Sequence, residues 1–222
     1  LTNFFKPFEK ANELISISAN IGSTSIIQPN SFIGNNVTIG KHCLIHSNVS
    51  IYDNTVIGNN VTIHSGVVIG ADAFYYKNRL EYRDKLVSGG NVIIEDNVDI
   101  GASCTIDRGV SASTTIGFGT KLDNQVQIGH DTIVGKNCLI ASQVGVAGCV
   151  VIEDDVVLWG QVGVKSGITI AKGTEIFAQS GLGQSTEENK KYFGSPAIEA
   201  RDRFKEMAYI KKLPEIIKKI NN

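Results

Sequence analysis

Between Ile21 and Ile69 the chain reads IGSTSIIQPN SFIGNNVTIG KHCLIHSNVS IYDNTVIGNN VTIHSGVVI, with isoleucine at 21, 27, 33, 39, 45, 51, 57, 63 and 69. The spacing of six returns at Ile94, Ile100 and Ile106. It then runs from Ile116 through Leu122, Ile128, Val134, Ile140, Val146, Ile152, Leu158, Val164, Ile170 and Ile176 to Leu182, giving 24 hexads. Four residues after these positions a small or β-branched residue recurs, as at Val37, Cys43, Val49, Val98, Cys104, Val126, Cys138 and Val156. A period of six fits neither the 3.6 of an α-helix nor the alternation of a plain strand. It fits short strands joined by sharp corners, with one large aliphatic and one small residue pointing inward on each side. Three sides close a triangular coil of 18 residues, so 24 hexads give eight coils. At about 4.8 Å per layer the stack is ~38 Å long. The fold class is an all-β solenoid of hexapeptide repeats.

The composition agrees with this reading. There are 23 Gly but only 4 Pro, 1 Met and 1 Trp, and the glycines often follow the aliphatic rung directly, as at Gly34, Gly40, Gly58 and Gly117. Glycine suits corners where φ is positive or the backbone is crowded. Of the 222 residues 42% are hydrophobic and 19% charged, which excludes a disordered chain. The net charge of −1 argues against a generally basic nucleic-acid binder. No run approaches 18 apolar residues, so no transmembrane segment or signal peptide is expected. Four cysteines without a Cys-x-x-Cys pair point to a reducing, cytoplasmic setting. Cys43, Cys104 and Cys138 fall on the inward small-residue position and read as core thiols. Cys149 lies one residue off it, and without a histidine close in sequence it does not read as a nucleophile.

The breaks in the rhythm divide the chain. Residues 1–20 show no hexads and read as a lead-in. The first residue is Leu1 rather than Met, from which a preceding part is expected to be missing. The solenoid spans 21–184, with an insertion at 71–90 that carries Phe74, Tyr75, Tyr76, Tyr82, Arg79 and Arg83. Insertions in solenoids mark binding faces. A loop folded over the surface and a substrate contact fit those aromatics about equally. A second break at Val110–Thr115 delays the next rung by four residues. Residues 185–222 form a C-terminal helical extension. Ser195 and Pro196 read as N-cap and first helical residue of a helix over 197–213, with Ala200, Phe204, Met207, Ala208 and Ile210 as buried candidates and Pro214 as a break or kink before a last turn, Glu215 to Ile220. Nine basic and four acidic residues between Asn189 and Asn222 give this region a balance of +5. Arg201, Arg203, Lys205 and Lys211 there could meet an acidic partner, or simply form a solvated helix face.

Four histidines are available for chemistry: His42, His46, His64 and His130. His42 and His46 fall on different sides of a coil with no third ligand at matching spacing, so no metal site is expected. His130 stands just past a corner and projects outward. Asp131 follows it and Asp123 lies seven residues back, carboxylates able to fix the imidazole tautomer and support its charged form. Read from the residues alone, a catalytic role and a surface role for His130 are equally open.

Thr105-Ile-Asp-Arg-Gly109, Leu122-Asp-Asn124, Gln127-Ile-Gly-His130 and Val144-Gly-Val-Ala-Gly148 resemble, in order, segments of the UDP-3-O-acylglucosamine N-acyltransferases of lipid A synthesis, as does Ile63-His-Ser-Gly-Val-Val-Ile-Gly-Ala-Asp72 before them. The resemblance implies a left-handed β-helix, a homotrimer, and transfer of a (3-hydroxy)acyl chain. The donor would be the phosphopantetheine arm of acyl carrier protein, and the acceptor the 2-amino group of a UDP-amino-sugar. No permanently bound cofactor is implied. On this resemblance His130 would be the general base and the Gly148 N–H, one coil later, the oxyanion donor. Asp131 and Asp123 would support the base, while Asn124, Gln127, Phe74, Tyr75 and Tyr76 would contact substrate. Three features depart from the family: Gly167 replaces a second histidine, Asp131 replaces an asparagine, and no uridine-binding N-terminal domain is recognised. His-Asp is instead the pair of the sister O-acyltransferases. Another hexapeptide sugar O- or N-acyltransferase, using acetyl-CoA or an acyl carrier protein thioester, is one alternative. A non-catalytic solenoid that binds partners is another.

Overall fold

The computed structural model describes residues 12–220, in which the hexads form three parallel walls of two- to four-residue strands. The first wall climbs from Asn20–Ile21 to Thr169–Ile170 in eight strands. The third climbs from Phe32–Ile33 to Gly181–Leu182, also in eight. The second starts at Ile26–Ile27 and has ten strands. Beyond Glu175–Ile176 it gains the parallel strand Lys191–Phe193 and the antiparallel strand Ile198–Glu199. Eight coils therefore describe the first and third walls, and the second is extended by two further strands. Of the lead-in, residues 1–11 lie outside the described residues, while Ile15 bridges Ile33 below the first full coil.

Within regular coils each residue pairs with the one 18 positions on, as Lys121 with Leu139 and Gln127 with Gly145. The isoleucine rungs stack down the axis and are almost wholly buried, from Ile33 to Ile176. The small inward slot holds mostly valine, cysteine or threonine, with Ser31, Ala73, Ile168 and Ser180 among the exceptions. Cys43, Cys104 and Cys138 are buried there as expected. Threonines in that slot satisfy their hydroxyls on the neighbouring layer: Thr120 Oγ1 donates to the Gly135 carbonyl at 2.8 Å and Thr132 Oγ1 to that of Ala147 at 3.0 Å. A hydroxyl costs little in an apolar core when it is bonded in this way.

The glycines do a different job from the one their frequency suggests. Left-handed φ at the corners belongs mostly to other residues, including Asn36, Asn54, Gln125, Gln143 and Gln161, and to only six of the glycines. Asparagine tolerates this conformation because its short amide bonds locally. At the second-to-third edge the glutamines bond instead along the stack, Gln143 to Gln125 at 2.9 Å and Gln161 to Gln143 at 2.7 Å. The glycine after a rung is required instead by close approach of layers. A Cβ on Gly117 would lie 2.5 Å from the Gly135 carbonyl oxygen.

The helix departs from the sequence expectation. It runs unbroken from Ala200 to Ile220 with Pro214 inside it. Ser195–Pro196 is a cis peptide in the turn before Ile198–Glu199, so neither residue caps the helix. Of the five residues expected to be buried only Ala200 is; Phe204, Met207, Ala208 and Ile210 are exposed. The reason is that, among the described residues, the helix meets the solenoid at its start, where Phe204 packs beside Phe177 and Phe193. Among the described residues no helix is long and apolar enough to cross a membrane.

Two substitutions separate crowding from open space. Gly117→Ala is expected to destabilise the chain by about 1–3 kcal/mol, the usual cost of overpacking. Gly145→Ala, where a Cβ would meet nothing within 4 Å, is expected to leave thermal unfolding unchanged or slightly raised. Melting curves of both variants check this; equal melting would remove crowding as the reason for Gly117.

Candidate active site

Both internal departures from the hexads fall on one edge, where the third wall turns into the first. The insertion leaves after Val68–Ala71 and returns at Asn91–Ile94, and it is a hairpin with Tyr76–Asn78 antiparallel to Arg83–Lys85. One coil higher the four extra residues lie between Thr105–Asp107 and Ser113–Ile116, so Thr105 pairs with Gln127, 22 positions on rather than 18. The two departures meet: the Gly90 N–H donates to the Gly109 carbonyl at 3.0 Å, and that of Gly89 to Val110 at 2.9 Å. Next above them on the same edge stand His130 and Asp131, and one coil further Gly148 and Cys149.

Arg108 anchors this edge from inside. Its side chain is 1% exposed, and it donates from Nε to the Gly70 carbonyl at 3.0 Å and from Nη2 to that of Asp53 at 2.7 Å. Those carbonyls lie at the root of the hairpin and in the coil below, so the guanidinium ties the insertion to the prism. The hairpin then lays Tyr75 edge-on against His130, with ring centroids 5.8 Å apart at 89°. A cleft of about 550 Å³ opens here, lined by Phe74, Tyr75, Asp107, Gln127, His130, Gly148, Cys149 and Gly167 among others. A second cavity of about 450 Å³ lies across the hairpin, against Tyr76 and Arg83.

Asp131 holds the imidazole. Its Oδ2 lies 2.8 Å from His130 Nδ1 and also accepts the Val110 N–H at 2.8 Å, while Oδ1 accepts that of Ala112 at 3.0 Å. Burial pushes its carboxyl up, but the Val110 amide, His130 and the amides of Ala112 and Ser111 prevail and hold it below the ordinary carboxylate value. It is therefore an anion near neutral pH, and an imidazole whose Nδ1 donates to it presents a lone pair on Nε2. Gly148 faces that nitrogen: a Cβ there would lie 2.5 Å from Nε2. Among the described residues the Gly148 N–H finds no acceptor. A proton acceptor and a free backbone donor thus face one space.

The other expected site residues divide. Gln127 lines the cleft, its Nε2 donating to Asp107 Oδ2 at 3.0 Å and its Oε1 accepting from Thr105. Phe74 and Tyr75 line it too, whereas Tyr76 faces the second cavity. Asp123 and Asn124 do not belong to it. Seven residues before His130 is one hexad and one residue, so Asp123 stands on the second-to-third edge, a full wall away. It caps the Asn124 N–H at 2.7 Å, and Asn124 accepts from Ala102 at 2.7 Å. On the helix Arg203 is bound to Glu206 and the Pro196 carbonyl, and Lys205 to Asp202, while Arg201 and Lys211 are exposed.

Of the titratable cleft residues, Asp107 was not singled out from sequence, and Cys149 was set aside there as a nucleophile. Asp107 stands one coil below His130, and burial pushes its carboxyl up against the opposing effects of Gln127 and His130. Its place in the resembling Thr105–Gly109 segment was the available signal. Cys149 has a histidine close in space though not in sequence, its Sγ 4.0 Å from His130 Nδ1. Elsewhere His46 and His64 stack face to face at 4.8 Å on the second-to-third edge. Trp159 stands on that edge as well and donates to Glu175 at 2.8 Å.

The repeat and the edge it builds define the class. Residues 18–51, 36–71 and 113–148 match the bacterial transferase hexapeptide (six repeats), and 91–124 match the hexapeptide repeat of succinyl-transferase. The chain belongs to the hexapeptide-repeat transferase family. Within it, the chain is similar to the UDP-3-O-acylglucosamine N-acyltransferases of Azorhizobium caulinodans (48% identical over 147 residues, 66% of this chain and 41% of that protein) and Methylobacterium sp. strain 4-46 (38% over 145 residues, 65% and 41%). It spans about two fifths of the length of these relatives. Among solved structures, UDP-N-acetylglucosamine O-acyltransferase from Moraxella catarrhalis superposes with a TM-score of 0.75 at 29% identity, covering 84% of this chain and 71% of that one. The UDP-N-acetylglucosamine acyltransferase of Francisella novicida gives 0.77 at 28%, covering 92% and 76%.

Replacing Arg108 tests the anchoring of the edge. Arg108→Met is expected to strand the Gly70 and Asp53 carbonyls, at about 1–3 kcal/mol for each buried orphan. Limited trypsinolysis read by mass spectrometry should show cleavage after Arg79 or Arg83 speeding up several-fold. Unchanged cleavage would mean that the hairpin holds itself.

Proposed function

We propose that this chain is the catalytic solenoid of an acyltransferase that moves a (3-hydroxy)acyl group from a phosphopantetheine thioester on acyl carrier protein to the 2-amino group of a UDP-3-O-acylglucosamine-type sugar in lipid A synthesis. The observation that carries it is the His130–Asp131 pair facing the unpaired Gly148 N–H within a cleft, in a chain so similar to enzymes of that name. The sugar amine attacks the thioester carbonyl, and His130 Nε2 takes the proton the nitrogen must lose. Asp131 supports the imidazolium that forms. Negative charge develops on the carbonyl oxygen, where the Gly148 N–H can donate to it. Collapse of the tetrahedral intermediate expels the pantetheine thiol, protonated in turn by the imidazolium. The thioester is already activated, so no acyl-enzyme is required. Phe74 and Tyr75 offer an apolar face to the substrates.

Arg201, Lys205, Lys211, Lys212, Lys218 and Lys219 are exposed cations of the helix, and we assign Arg201 and Lys211 to the acidic surface of acyl carrier protein. A homotrimer, with this edge facing a neighbouring prism, and a cytoplasmic location complete the reading. A second reading, O-acylation, is favoured by the His-Asp pair and by the likeness to the Moraxella O-acyltransferase.

Incubating the chain with a UDP-amino-sugar and acyl carrier protein thioesters of graded length, then analysing products by mass spectrometry, is expected to give an alkali-stable amide. An alkali-labile ester would select O-acylation, and no product would remove both readings. His130→Ala should stay folded and lose about 10²–10⁴ in rate, the usual contribution of a general base. Near-normal turnover in that variant would sink the role of His130.

A further inference from the structure

We propose that His130, Asp131 and Cys149 form a binding site for a thiophilic divalent cation, Zn²⁺ by the chemistry of its donors, and that the ion switches the base off. One donor atom from each residue lies within 4.8 Å of the others. Nδ1 is 2.8 Å from Asp131 Oδ2 and 4.0 Å from Cys149 Sγ. Around a tetrahedral zinc these separations are ~3.4 and ~3.6 Å, from Zn–N near 2.0–2.1 Å and Zn–S near 2.3 Å, so the first opens and the second closes by about half an ångström, while the carboxylate–sulfur pair, within 4.8 Å, closes by up to ~1.2 Å. The fold sets the donors up. Asp131 and Cys149 are 18 residues apart, hold the same left-handed corner position with φ of 54° and 60°, and so stack one above the other. The Cys149 N–H donates to the His130 carbonyl at 2.8 Å, tying the third donor to the first. One coil further the same position is Gly167, which leaves the approach bare, and Cys149 itself is exposed. Imidazole, carboxylate and thiolate are the donor set of zinc.

The consequence for catalysis follows from the ring. A metal on Nδ1 takes the lone pair there and leaves the neutral imidazole its proton on Nε2. The nitrogen that faces Gly148 then carries N–H and cannot accept a proton. It also takes Asp131 from its hydrogen bond with the ring. Binding displaces the thiol proton to solvent and involves no change of oxidation state. This inference of inhibition rests on His130 acting as base; the binding itself does not.

Cobalt(II) reports the site without substrate. Titrating the metal-free chain with Co²⁺ should give one equivalent of tetrahedral absorption with a thiolate charge-transfer band, bleached by Zn²⁺. Cys149→Ala should lose the charge-transfer band and at least tenfold in Zn²⁺ affinity, and Asp131→Asn should weaken binding with the band retained. The other three thiols are buried and contribute little background. No band in the wild type, or an equal band in Cys149→Ala, would overturn the site. In the transferase assay, each chain measured against its own metal-free rate, Zn²⁺ should inhibit the wild type at concentrations at least tenfold below those needed for Cys149→Ala. Equal inhibition would overturn the switch. A chain with no transferase activity would fail the functional reading while the cobalt titration still decides the site.

Discussion

Everything in this molecule hangs on a backbone ladder that returns every 18 residues. Each coil satisfies its N–H and C=O groups on the coils above and below, as in the pairing of Lys121–Leu122 with Leu139–Ile140. No strand in a regular coil exceeds two residues, so no layer is stable alone. Because the pairing is parallel and in register, like stacks on like. Isoleucine meets isoleucine in the core, and amide meets amide along the corner of Gln125, Gln143 and Gln161. The inside is thereby uniform, and chemical individuality is confined to the edges.

The ladder explains which parts of the site could be read from sequence. His130 and Gly148 differ by one full coil, so their adjacency follows from the same count that reveals the fold. Asp123 fails by the same arithmetic: seven residues crosses a wall. Cys149 was legible in principle, since it stands one coil above Asp131, but nearness in sequence was the wrong measure for a solenoid. Tyr75 and Arg108 are harder. They depend on how a 71–90 hairpin folds back, and no period governs that. The helix was misjudged because an amphipathic pattern says what a helix could bury, not whether a surface is there to receive it. Among the described residues, Ala200, the Phe177–Phe193–Phe204 contact and the Arg203 bond to the Pro196 carbonyl mark the surface that does.

Asp131 links the two kinds of information. Three amides of the second break and the ring of His130 converge on one carboxylate. The same charge that fixes the tautomer therefore fixes the loop, and the loop in turn receives the end of the hairpin through Gly109 and Val110. Shape and protonation at this edge are consequently not independent: neutralising the carboxylate disturbs both.

The stacking of coils also makes the height of the hairpin relative to the base a discrete quantity. An insertion or deletion of 18 residues between Asn91 and Gln127 would leave every wall in register, yet would move the aromatic hairpin against His130 by one layer, about 4.8 Å. Other lengths keep the isoleucines in place only where the extra residues bulge out at a corner, as the four between Asp107 and Ser113 do. Within the regular walls, lineages of this chain can therefore shift the hairpin against the base only in whole steps, much as a ratchet advances by teeth.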